Sequence, residues 1–127
     1  VVLKDGRDLT IVVSGLPVAA ALEAADMLAA DGIDARVINI HTIKPLDTEL
    51  LAKAAAETGK IFTVEEHNVI GGLGSAVAEA VAETVPVPVH RIGIYDQFGE
   101  SGPAVELLEK YGLDGKGIYS QIKDGLR

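Results

Sequence analysis

Two carboxylates and an imidazole stand side by side in the middle of the chain, at Glu65, Glu66 and His67, directly after a short apolar run. Carboxylate and imidazole groups serve proteins as general acids and bases, proton relays and metal ligands. Adjacent side chains in a strand point in alternate directions, so only Glu65 and His67 can share one. The sequence has no second carboxylate–histidine cluster at ligand spacing, which disfavours a metal site. We favour a buried carboxylate satisfied by hydrogen bonds at an interface over a catalytic acid or base.

A glycine-rich turn follows this cluster. It is not the dinucleotide-binding fingerprint G-x-G-x-x-G, because Val77 occupies the position of the third glycine. Free amides at the start of the next helix could still hold an anion, as helix N-termini do generally. The alternative, which we favour, is that the glycines let the turn pack closely on the sheet or on a neighbouring domain. Both alternatives concern one candidate interface or anion site, which comprises Glu65, Glu66, His67, Gly71, Gly72, Gly74 and Ser75.

The remaining reactive residue types are scattered. His41 follows a predicted strand and His90 lies inside one, and both are interpreted as structural. Ser14 and Ser101 each precede a glycine, but neither lies in the G-x-S-x-G motif of a nucleophilic serine. We therefore predict no catalytic, cofactor-binding or metal-binding residue in this chain. The pattern indicates a piece that completes an active assembly rather than forming one.

Apolar runs and amphipathic helices alternate along the chain and would position these residues. β-branched runs predict buried strands at Leu9–Val13, Ala35–Ile40, Lys60–Val64 and Val89–Ile94, with a further short strand at Val1–Leu3. Short connections between strand and helix are typical of right-handed βαβ units. The sequence therefore predicts a three-layer α/β/α fold whose sheet is mostly parallel. The candidate site then lies at the carboxyl ends of strands, where such sheets bind ligands.

Helix boundaries are marked by turn and capping residues. Pro17 opens the first helix and Asp31-Gly32 ends it. Asp47 is a predicted N-cap for a second helix that ends at Gly59. A third helix follows the glycine turn, a short one spans Pro103–Lys110, and the last begins at about Gly117. The stretch Tyr95–Gly102 is a predicted loop. Together with Glu65–Gly74, this loop is expected to form the rim of an interface.

Composition restricts the classes of partner. The 127 residues form one predicted domain, 1–127, with 48% apolar and 24% charged residues. A net charge of −8 argues against nucleic acid and anionic membrane as partners. The chain has no cysteine and no apolar run near the roughly 18 residues of a membrane span. We expect a cytoplasmic protein, and the initial valine suggests a piece of something longer.

Six blocks of the sequence, taken in order, resemble the C-terminal domain of transketolase. They are Ala21–Ala25, Gly32–Asn39, Thr42–Asp47, Glu65–His67, Gly71–Glu79, and Phe98–Gly102 with Leu107–Leu113. Each block is modest alone, but six in the right order are specific. The likeness is greatest to short or split bacterial and archaeal transketolases. The equivalent domains of deoxyxylulose-phosphate synthase and of 2-oxo acid dehydrogenase β subunits are more distant relatives.

The resemblance implies a five-stranded mixed sheet in which one strand, expected to be the N-terminal edge strand, is antiparallel to the other four. It implies an enzyme that transfers a two-carbon ketol unit between sugar phosphates with thiamine diphosphate and a divalent metal, Mg, in the pentose phosphate pathway. In that family the cofactor lies between two other domains, so none is expected here. The domain would stabilise a dimer through the remaining transketolase domains or subunit. The alternatives are an independent module that binds an anionic metabolite, or the equivalent domain of deoxyxylulose-phosphate synthase or of a 2-oxo acid dehydrogenase β subunit.

Overall fold

The computed structural model describes residues 1–14, 17–41, 46–68, 72–94 and 114–127, and for residues 66–68 and 93–94 it describes the backbone alone. Strands and helices alternate over these ranges. In chain order they are β1 (Val2–Lys4), β2 (Leu9–Ser14), α1 (Val18–Ala30), β3 (Ala35–Asn39), α2 (Thr48–Thr58), β4 (Ile61–Asn68), α3 (Leu73–Glu83), β5 (Val89–Ile94) and α4 (Gly115–Gly125). The predicted helix at Pro103–Lys110 and the predicted loop at Tyr95–Gly102 lie outside the described residues.

The strands form one sheet in the order β1-β3-β2-β4-β5. The pairs β3–β2, β2–β4 and β4–β5 are parallel, and β1 pairs antiparallel with β3 at the edge. This confirms the predicted mixed sheet with one antiparallel edge strand. The chain leaves β2 towards β3 on one side and leaves β4 towards β5 on the other, which places the topological switch point between the carboxyl ends of β2 and β4.

Buried aliphatic residues cover both faces of the sheet. One face packs Ile11, Phe62 and Val64 against α1 and α4. The opposite face packs Val12 and Ile61 against α2 and α3. Successive residues of a strand point to opposite faces of the sheet. A sheet covered on both faces therefore requires strands that are apolar throughout, without alternating polar residues. The three-layer α/β/α arrangement is confirmed.

Capping residues set the helix ends much as predicted. Asp47 Oδ1 accepts a hydrogen bond from the backbone N of Leu50 at 3.1 Å, and Gly59 ends α2 in the left-handed region with φ 77°. The last helix begins at Gly115, two residues before the predicted start, because Asp114 is its N-cap and accepts from the Gly117 amide at 2.8 Å.

Strand β4 also differs from its predicted bounds. It continues from the apolar run through Asn68 instead of ending at Val64. The pairing with β5 changes register between Val64 and Asn68, so the polar end of β4 follows a local irregularity in the ladder. The Glu65–His67 cluster is therefore part of the strand itself rather than of the turn that follows it.

Candidate functional site

The side chain of Glu65 is the centre of the candidate site. It lies at the carboxyl end of β4, opposite Ser14 of β2 in the parallel register, and is only 3% exposed. Its Oε2 accepts a hydrogen bond from the backbone N of Leu73 at 2.9 Å, and its Oε1 accepts from the backbone N of Gly74 at 3.2 Å. A carboxylate in the sheet is thus bound to the first turn of the following helix.

This contact caps α3 from a distant position in the sequence. The N-cap residue of α3 is Gly72, which has no side chain to accept from the free amides of the first turn. Glu65 supplies the missing acceptor and places a negative charge at the positive end of the helix dipole. The prediction that one carboxylate of the cluster is buried and bonded to backbone amides of this region is confirmed for Glu65.

The occupied amides have a chemical consequence. An added anion at the start of α3 would meet two N–H groups that already donate, and it would stand beside the fixed negative charge of Glu65. A buried carboxylate whose two oxygens both accept backbone hydrogen bonds is well suited to hold a helix in place.

Close packing explains why glycine stands at position 74. A Cβ atom there would lie 2.9 Å from Cγ and Cδ of Arg91 and 3.1 Å from Oγ1 of Thr63. Arg91 projects from β5 across the start of α3, and its Nη1 donates to Oγ of Ser75 at 3.3 Å. The sheet and the helix therefore meet closely at this point, as the close-packing interpretation of the glycine turn requires.

The structure brings together only part of the predicted site. Glu65, Gly72, Gly74 and Ser75 converge on the first turn of α3. The backbone of Glu66 and His67 continues β4, their side chains lie outside the described residues, and so does Gly71. Whether this group of residues is an interface or an anion site stays a prediction.

The other two histidines lie apart from Glu65. The His41 side chain is exposed just after β3, with its Nε2 3.3 Å from the amide Nδ2 of Asn39. His90 stacks on Phe62, with ring centroids 5.0 Å apart and planes at 18°. Gly125 lies against this pair, because a Cβ there would approach Cε2 of Phe62 to 2.8 Å.

Sequence reasoning missed a second buried charge, Arg36 in β3, which is 8% exposed. Its Nε lies 3.0 Å from Asp5 Oδ1 and donates to the carbonyl of Gly6 at 3.2 Å. Its Nη1 donates to Oε1 of Glu57 at 2.8 Å. An arginine inside a β-branched run is the signal that could have drawn attention to it, because a buried cation requires partners.

A surface cluster joins α1 to α4. The hydroxyl of Tyr119 donates to Oδ2 of Asp31 at 2.5 Å, and Nζ of Lys123 lies 3.3 Å from the same oxygen. The hydrogen bond from Tyr119, aided by Lys123, holds the pKa of Asp31 below its ordinary value of 3.8. The same bond raises the pKa of Tyr119 above its ordinary value of 10.0.

The described ranges contain neither a metal-ligand cluster nor a membrane-spanning helix. No group of three or more histidine or acidic side chains there is arranged to hold a metal ion. Among the helices of those ranges, none has the length and apolar character needed to cross a membrane.

The fold is that of an α/β domain of the kind found at the end of transketolases. The model of the family "Transketolase, C-terminal domain" matches residues 1–118, and the chain belongs to this family. It is 50% identical over 116 residues, which is 91% of the chain, to the 6-deoxy-6-sulfo-D-fructose transketolase subunit of Clostridium sp. (strain MSTE9). It is 49% identical over 117 residues, again 91% of the chain, to the 1-deoxy-D-xylulose-5-phosphate synthase of Heliobacterium modesticaldum (strain ATCC 51547 / Ice1).

A solved structure is equally similar. A split-gene transketolase, an inactive β4 tetramer, superimposes with a TM-score of 0.90 and 52% identity over 98% of this chain. The chain spans 36% and 18% of the two relatives and 41% of the solved chain. The similarity therefore establishes the domain, which is a minor part of each of these proteins.

Proposed function

We propose that this chain is the C-terminal assembly domain of a transketolase-like enzyme that transfers a two-carbon ketol unit between sugar phosphates. The observation that carries the proposal is the position of Glu65. Its carboxylate lies where an open α/β sheet binds ligands, yet both of its oxygens bind the first turn of α3. The residue best placed for chemistry instead holds the first turn of α3 against the end of β4.

The expected partners are the remaining domains or subunit of the enzyme, and a second copy of the whole. One relative is a transketolase subunit, and the solved relative is a tetramer of one subunit type. Glu65 joins the end of β4 to the first turn of α3. We expect a neighbouring domain to dock on this edge.

Thiamine diphosphate and a divalent metal would belong to the other domains of that enzyme. The carboxylate nearest the switch point, Glu65, already has two backbone donors, and within the described ranges no acidic group is arranged for a metal. The aromatic rings of Phe62 and His90 stack on each other, and Gly125 lies against them. These residues do not fit the cofactor, so we expect the isolated chain neither to bind thiamine diphosphate nor to turn over ketose phosphates.

Substitution of His67 in the complete enzyme tests the proposal. We expect His67→Ala to weaken assembly, measured by sedimentation velocity, or to lower turnover by less than the roughly 100-fold loss typical of a missing acid–base group. The matched control is His90→Ala, which removes a histidine from the start of β5, where it packs on Phe62. Abolished turnover in a His67→Ala enzyme that assembles normally would replace the assembly role with a catalytic one.

A small-molecule role is the rival function. In it, the chain would bind an anionic metabolite at the helix N-termini that follow Gly15 and Gly71. Titration calorimetry with sugar phosphates separates the two functions, because saturable micromolar binding supports the rival and no heat supports the assembly role. The bonds from Leu73 and Gly74 to Glu65 favour the second result at α3.

The parent reaction is a separate question, since a synthase relative is 49% identical to this chain. The complete enzyme would then make 1-deoxy-D-xylulose 5-phosphate instead of exchanging ketol groups between sugar phosphates. Product analysis decides between the two reactions: formation of 1-deoxy-D-xylulose 5-phosphate would assign the domain to a synthase and leave its assembly role unchanged.

A further inference from the structure

A cavity of about 330 Å³ lies beside α2 at the β1 edge of the sheet. It is lined by Val2, Asp5, Arg36, Leu50, Lys53 and Glu57. Strands β3 and β2 separate this edge from β4, so the cavity is distinct from the Glu65 site. Its volume is in the range of small-molecule sites, which begins at roughly 300 Å³.

The buried arginine at the wall of this cavity is only partly satisfied. Nε and Nη1 of Arg36 contact Asp5, Gly6 and Glu57, and no described residue accepts a hydrogen bond from Nη2. Among the described side chains, no buried polar atom lacks a partner, so Nη2 is open to solvent. Since Arg36 lines the cavity and is 92% buried, the cavity is where this donor is reached.

A second cation faces the same space. Lys53 lies one helical turn before Glu57 on α2, its side chain is exposed, and no ion pair joins it to another described residue. The carboxylates of Asp5 and Glu57 balance Arg36, so the four charged groups of the lining sum to zero. The apolar side chains of Val2 and Leu50 complete the wall.

We propose that this cavity binds a small organic monoanion, a carboxylate with a short apolar chain. The carboxylate would accept from Nη2 of Arg36 and from Nζ of Lys53, which is the charge-assisted pairing that guanidinium and ammonium groups make. The apolar chain would lie against Val2 and Leu50. A phosphate dianion is disfavoured, because its second charge would be repelled by the carboxylates of Asp5 and Glu57.

Titration of the isotope-labelled chain with butyrate, followed through backbone amide signals, tests this site. We expect saturable shifts at Val2, Leu50 and Lys53 and none at Leu73 or Gly74. Equimolar inorganic phosphate is expected to give no saturable shift at these positions, and n-butylamine, which has the apolar chain but the opposite charge, to give none either. Saturation by phosphate alone would contradict the proposed ligand class.

Substitution of Lys53 tests whether butyrate binds at a specific site or only to positive charge on the surface. Lys53→Gln is expected to weaken butyrate binding about tenfold, the loss of one charge-assisted hydrogen bond. The control is Lys116→Gln, an exposed lysine of α4, which should leave the affinity unchanged. Absence of saturable binding by the folded chain, or equal effects of the two variants, would overturn the proposal. The result is independent of the assembly role, which concerns the end of β4 and the start of α3.

Discussion

Glu65 and Arg36 are both buried charges in this sheet, but they are satisfied in opposite ways. Glu65, in β4, is bound by the backbone amides of Leu73 and Gly74. Arg36, in β3, is bound by the carboxylates of Asp5 and Glu57, whose side chains are 85% and 46% exposed. The partners of Glu65 are backbone amides fixed in the helix, whereas the partners of Arg36 are side chains that are accessible to water.

This difference distinguishes a charge that stabilises the fold, Glu65, from a charge that could bind a ligand, Arg36. Backbone amides have no alternative partner once α3 is formed, so the Glu65 contact is part of the fold. The carboxylates near Arg36 are accessible to water, and Arg36 lines a cavity. Burial alone therefore does not identify a functional charge; the nature of its partners does.

The largest effect is expected for Glu65→Ala. The substitution leaves the amides of Leu73 and Gly74 buried without an acceptor and removes the cap of α3, at a cost of about 3 kcal/mol in the free energy of unfolding. Urea denaturation measures this loss, and Glu79→Ala on the exposed side of α3 is the control. A loss below about 0.5 kcal/mol, the range of ordinary surface substitutions, would contradict the capping role.

Substitution of Gly6, near Arg36, should destabilise the chain more than substitution of Gly74, near Glu65, because the first meets backbone atoms and the second meets side chains. A Cβ at Gly6 would lie 2.4 Å from the backbone carbon of Ala35, whereas a Cβ at Gly74 would meet side-chain atoms alone, Cγ and Cδ of Arg91 at 2.9 Å and Oγ1 of Thr63 at 3.1 Å. We expect Gly6→Ala to cost about 2–3 kcal/mol. Gly74→Ala should cost about 1 kcal/mol or less, because alanine favours a helix. Equal losses in urea denaturation would mean that Arg91 is as fixed as the backbone.

A smaller loss is expected for Arg36→Met. Asp5 and Glu57 become solvated when the guanidinium is removed, so the variant should lose about 1–2 kcal/mol rather than the 3–5 kcal/mol of a broken, fully buried pair. Raising the salt concentration should reduce the difference between the wild type and the variant, since the partners are exposed. A loss as large as that of Glu65→Ala in urea denaturation would remove the distinction between the two charges.

The smallest effect belongs to the exposed pair of Asp31 and Tyr119. The lowered pKa of Asp31 stabilises the fold above pH 3.8 and stops doing so as pH falls through its folded value. The raised pKa of Tyr119 stabilises the fold below pH 10.0 and stops doing so as pH rises through its folded value. Tyr119→Phe should therefore destabilise the chain most between these limits, as chemical denaturation at several pH values would show. Ser120→Ala, the control, should show no such window.

The architecture could be predicted from the sequence because each element has a local signal. β-branched runs mark β2 and β3, Asp47 and Gly59 mark the ends of α2, and these signals are sufficient to establish a parallel three-layer fold. The end of β4 could not be predicted, since charged residues without alternation resemble a turn. The start of α4 at Gly115 is two residues earlier than predicted because its N-cap, Asp114, precedes two closely spaced glycines, Gly115 and Gly117, which resemble a turn.

The contacts of Glu65 could be predicted because they join residues that are close in sequence. The ion pairs of Arg36 could not, because they join residues that are distant in sequence. Glu65 lies eight residues from Leu73, within one strand–turn–helix unit, so its contact follows from the local pattern. Arg36 is separated from Asp5 and Glu57 by segments that only the sheet order brings together. The docking surface proposed at the end of β4 stays a prediction until the complete enzyme is tested.

The most direct test of the central claim is turnover per assembled complex in a complete enzyme that carries Glu65→Gln. Glutamine retains one acceptor for the start of α3 and places an amide against the other donor, so we expect less assembled enzyme in sedimentation velocity. The material that does assemble should have turnover within about threefold of the wild type, because Glu65 acts through the fold. Normal assembly with a roughly 100-fold loss of turnover would contradict the account and make Glu65 an acid–base residue.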